Sequence, residues 1–67
     1  DDLGWKRIIS LLNSGEVEQV FQSHALDVSV TLKDGQTFSG REPRIDDIFD
    51  EVKKCGEPCK NIMLATE

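Results

Sequence analysis

Sixty-seven residues, 37% hydrophobic and 31% charged, describe one small domain spanning residues 1–67. That size excludes a multidomain enzyme or a repeat array, and no apolar run approaches the roughly 18 residues a membrane-crossing helix needs. Eight basic against thirteen acidic residues leave a net charge of −5, the wrong sign for neutralising phosphate, so nucleic acid is not the expected partner.

Residues 3–13 read as a first helix. Trp5, Ile8, Ile9 and Leu12 form one apolar stripe at i, i+3, i+4 and i+7. Asp1 and Asp2 suit the positive end of its dipole, and Gly15 is a fitting stop. Glu16 to His24 reads as a strand of mixed parity, with Val17, Gln19 and Phe21 on one side and Val20 on the other. Such a change of parity predicts a bulge or a twisted edge. Leu26, Val28, Val30 and Leu32 then alternate cleanly with Asp27, Ser29, Thr31 and Lys33, a strand with one face buried and one wet. Asp34-Gly35 predicts a two-residue hairpin turn with both residues at positive φ, and Gln36 to Gly40 resumes around Phe38.

Pro43 lacks the donor a ladder uses and ends the strand region. Ile45, Ile48, Phe49 and Val52 repeat the helical stripe, with Cys55 one turn further on. Asp46 and Asp47 stand in the first turn, Lys53 and Lys54 in the last, and Gly56 closes the helix, all in agreement with its dipole. Asn61 to Thr66 reads as a closing strand. The order α-β-β-β-α-β predicts an α+β domain with both helices on one face of a small sheet.

Chemistry-bearing residues are few. Cys55 and Cys59 read as a disulfide staple tying the end of the second helix to the last strand, and so as a sign of an oxidising compartment. Buried free thiols and a redox or metal-binding pair are the alternatives. Against redox work, the spacing is one residue longer than Cys-x-x-Cys, and a helix C-terminus disfavours thiolate. Zinc needs four ligands and His24 is the only histidine. Asp46, Asp47, Asp50 and Glu51 lack the glycine-bearing loop of a calcium site and read as a solvated helix face. His24 stands in a turn with no group to orient its ring, so catalysis is not expected. Trp5 and Phe21 read as core. Lys6, Arg7, Arg41 and Arg44 are too few for a nucleic-acid groove.

The text from Leu11 to Val20 (LLNSGEVEQV), then Val28 to Phe38 (VSVTLKDGQTF), then Pro43 and an acidic-apolar helix, resembles the extracytoplasmic domain of FtsH-type membrane-bound ATP-dependent zinc proteases. The chain also resembles short prokaryotic proteins built around similar LKDG, EP-x-IDDI and CG text. The FtsH resemblance implies an α+β interaction domain held outside the membrane. Neither the ATPase loop nor the His-Glu-x-x-His zinc site of that family occurs in these residues, and the cysteine pair and the segment from Glu42 to Ile48 depart from its pattern.

The resulting expectation is a non-enzymatic interaction module without cofactor, the soluble extracytoplasmic part of a membrane-associated protein. Asp1-Asp2 shows no secretory leader, and charged ends suit a fragment of something longer whose membrane contact lies in another segment. The partner is expected to be a protein or a second copy, met at a free strand edge. The candidate edges are Glu16 to His24, or Gln36 to Arg41, with Phe21, His24, Arg41 and Arg44 as contact residues. A thiol redox or metal-binding protein using Cys55 and Cys59 is the alternative.

Overall fold

The computed structural model describes residues 2–67, with side chains from residue 4 onward. The expected dipole contacts of Asp1 and Asp2 lie outside what is described. The elements are α1 (Asp2–Asn13), β1 (Val17–Gln22), β2 (Asp27–Leu32), β3 (Thr37–Arg41), α2 (Asp47–Cys55), a short 3₁₀ turn (Glu57–Cys59) and β4 (Met63–Thr66). The domain is α+β, in the order α-β-β-β-α-β that the sequence predicts.

The four strands lie in the order β3-β2-β1-β4. β1 and β2 pair antiparallel, as do β2 and β3, whereas β4 returns beside β1 in parallel. A parallel return needs a long crossover, and α2 with the 3₁₀ turn supplies it. The mixed parity of β1 resolves into a register shift between Val17 and Gln19, which lets both Val17 and Val20 reach the core.

Ile8 and Leu12 from α1 and Ile48 from α2 meet Val17, Val20, Val28, Val30 and Leu32 from the sheet in a single buried cluster. Each fully buried aliphatic side chain there contributes about 1.5–3 kcal/mol. Both helices therefore cover the same sheet face. Gly40 sets how closely α1 lies on β3: a Cβ there would stand 2.8 Å from Ile8 Cδ1 and 3.0 Å from the Gly4 carbonyl carbon. A bare backbone is what lets the helix sit this low.

Two local expectations are corrected. Ile45 does not join the second helical stripe; it precedes α2 and is half in solvent. The residue before the helix, Asp46, is left-handed (φ 72°), which turns Ile45 away from the stripe. The hairpin after β2 is also not a two-residue turn. Gly35 N–H donates to Leu32 C=O and Leu32 N–H to Gln36 C=O, with Gly35 at φ 95° and Asp34 not at positive φ. This is a three-residue loop closing on a glycine bulge. Asp34 Oδ1 accepts from Gln36 N–H and steadies it.

Candidate interaction surface

Pairing decides which strand edges are free. β1, expected as an open edge from Glu16 to His24, is flanked by β2 and β4, so its edge is not available. The outer strands are β3 and β4, and the β3 edge matches the second expectation. β4 is an edge the sequence did not mark.

Strand alternation sends neighbours to opposite faces. With Val20, Gln22, Val28 and Val30 turned to the helices, Phe21 and Ser29 must face away from them. Ser39 and Arg41 on β3, and Met63 and Ala65 on β4, share that outer face through their pairing. Phe21 is thus not core, contrary to expectation; it is 38% exposed, with Ala65 and Ser29 as cross-strand neighbours. Beside it lies a shallow depression of about 350 Å³ lined by Phe21, Asp27, Val28, Ser29, Ser39 and Gly40. Small serine side chains leave this hollow. On β4, Met63 is 64% exposed and Leu64 52% exposed.

The four expected contact residues do not converge. Phe21 and Arg41 share the open face, and Arg41 stands opposite Asp27 on β2. His24 sits in the turn after β1, its backbone N–H donating to Glu67 Oε1 at 2.9 Å. Its exposed ring lies 3.9 Å from the same oxygen. Arg44 precedes α2, exposed, with Nε 3.8 Å from Asp47 Oδ2.

Cys55 and Cys59 form a disulfide, with sulfurs 2.04 Å apart. Both sulfurs lie against Leu12 C=O in the last turn of α1, at 3.4 and 3.2 Å. The bridge therefore joins the end of α2 to the 3₁₀ turn and rests on the end of α1. The Leu12 carbonyl oxygen against both sulfurs is an environment that disfavours a thiolate. Among the described residues no group of three or more His, Cys, Asp or Glu is placed to hold a metal ion.

Two buried polar residues escaped the sequence reading. Gln22 points inward from β1 and clasps Asp46: its Nε2 donates to Asp46 Oδ1 at 3.1 Å, and Asp46 N–H donates to its Oε1 at 2.8 Å. Glu42 is 2% exposed. Its Oε1 accepts from Ile48 N–H at 3.0 Å, so it caps the first turn of α2 from outside the helix. Its Oε2 is buried without a hydrogen-bond partner among the described residues. Desolvation, with Asp47 and Asp46 adding to it, raises the Glu42 carboxyl above its ordinary value despite the Ile48 bond. The parity of Gln22 with Val20 was a usable signal; Glu42, just ahead of Pro43, carried none.

No family model matches the chain, and the search of the curated proteins returns no match.

Proposed function

We propose that this chain is a non-enzymatic interaction module, the soluble extracytoplasmic part of a membrane-associated protein, which holds a protein partner at the β4 edge of its sheet and the uncovered face beside it. The observation that carries the reading is the set Phe21, Met63 and Leu64, three large apolar side chains left in solvent on adjacent strands β1 and β4. Exposed apolar groups gathered on one region of a small domain are what a partner covers. The Cys55–Cys59 disulfide supports an oxidising compartment. The resemblance to FtsH-type extracytoplasmic domains supports the same side of the membrane. The seating of both sulfurs on a helix-end carbonyl weighs against exchange chemistry as the alternative function.

The test is site-specific photocrosslinking in the native cell, with the probe at Met63, at Phe21 and, as control, at exposed Arg7. The expected result is a defined polypeptide adduct from positions 63 and 21 that is missing at position 7. Adducts no stronger than the control overturn the module. Thiol trapping in the same cells separately tests the compartment: a fully oxidised pair is expected, and free thiols place the chain in a reducing compartment instead. A reduction potential near about −200 mV rather than below about −300 mV would move the function to thiol exchange.

A further inference from the structure

We infer that the partner at β4 is a second copy of this chain: two β4 strands pair antiparallel about a two-fold axis at Leu64, joining two four-stranded sheets into one of eight. This rests on the interaction-module reading and names its partner.

The backbone sets the register. Polar groups of a strand alternate sides with period two, and in β4 the N–H of Glu67 donates to Gln22 C=O of β1. Met63, Ala65 and Glu67 therefore serve β1, while Leu64 and Thr66 direct N–H and C=O to the open edge. Placing Leu64 opposite the second copy's Leu64 pairs each Leu64 N–H with the other Leu64 C=O. Each Thr66 N–H then meets the other copy's Ile62 C=O. Ile62 N–H is already engaged by Cys59 C=O, so no free donor is wasted in that register. Side chains follow: Leu64 meets Leu64 on the helix side of the sheet, and Met63 meets Ala65 on the open side. The exposed apolar groups of the edge are covered by each other.

Charge selects the direction. Lys60, whose Nζ lies 3.4 Å from Glu57 Oε2, precedes β4, and Glu67, whose Oε1 accepts from His24 N–H, follows it. Antiparallel pairing brings each Lys60 toward the other copy's Glu67, whereas parallel pairing would set lysine beside lysine and glutamate beside glutamate. Met63–Thr66 itself carries no charge and no proline, the devices that keep edges apart. The opposite edge differs: the exposed positions of β3 are Thr37, Ser39 and Arg41, all polar. An edge this short makes a small interface, so association is weak and concentration-dependent.

Sedimentation equilibrium of the oxidised chain, over roughly 10 µM to 1 mM at about 0.15 M salt, is expected to show a monomer–dimer equilibrium. Mixed-isotope NMR on the same sample is expected to place Met63 Hα beside the second copy's Ala65 Hα. Leu64→Pro removes an outward N–H without touching the β1 ladder and is expected to weaken the dimer at least about tenfold. Leu64→Lys keeps the backbone and is expected to do the same if the proline variant does not fold. Lys60→Glu is expected to weaken it about three- to tenfold. A monomer at the highest concentration, or a dimer indifferent to both Leu64 variants, overturns the inference. If β4 amides are protected only by a different polypeptide crosslinked from Met63, the second copy is wrong and the module stands. If nothing protects them, both fail.

Discussion

At Glu42, opposing electrostatic effects meet on one carboxylate. The N-terminus of α2 and the Ile48 N–H favour its charge, by about 0.3–1 kcal/mol for the dipole at an exposed site and more when partly buried. Desolvation is the larger effect, and Asp47 and Asp46 add repulsion, so the carboxyl titrates above its ordinary value of 4.5. A raised value means the folded chain binds this proton more tightly than the unfolded chain. Stability from Glu42 therefore falls as pH rises from the ordinary value through the raised one, and is regained on acidification across the same window. Glu42→Gln keeps an acceptor for Ile48 N–H and removes the charge. Denaturant melts across that window are expected to show the variant gaining on the native chain as pH rises; a pH-independent difference would contradict this account. The sequence could not reveal it, because an acid ahead of a proline looks solvated until the chain folds Leu26 C=O onto the Glu42 N–H and closes the site.

Elements were legible where one periodicity ran uninterrupted. The stripe of α1 and the alternation of β2 each encode a buried face directly. The structure buries Ile8 and Leu12 and Val28, Val30 and Leu32 accordingly, while Ile9 stays out of the core cluster and Leu26, at φ 70°, precedes β2. Reading failed where backbone conformation broke the pattern. Left-handed Asp46 cut Ile45 from its stripe, and the 3₁₀ turn Glu57–Cys59 was too short to carry a period. The disulfide acts at this scale. It closes a loop of sequence separation 4, for which chain entropy alone gives about 2 kcal/mol. Cys55→Ser with Cys59→Ser is expected to lower unfolding free energy by about that amount, read from denaturant melts of variant and oxidised protein. Equal stability would show that the staple contributes nothing to the fold.

At the scale of the molecule, the layer arrangement makes adjacent residues unequal. Val20 is fully buried under the helices while Phe21, its neighbour, faces outward. Val20→Ala is expected to cost about 1–3 kcal/mol. Phe21→Ser is expected to change stability by less than about 1 kcal/mol, despite removing a larger side chain. Thermal melts of the two variants check the two-layer account, and equal losses would mean that the outer face is covered. Sequence by itself determined the helices and strands, their order and the buried faces of α1 and β2, because hydrophobic period and turn chemistry are local. It also offered the cysteine pair as a staple beside the free-thiol alternative, and the structure decides for the bridge. Only the tertiary structure decided that β4 lies beside β1, and so that β1 is central and β4 is an edge. Strand order depends on which surfaces the α2 crossover can cover, a long-range packing choice that no window of the sequence contains.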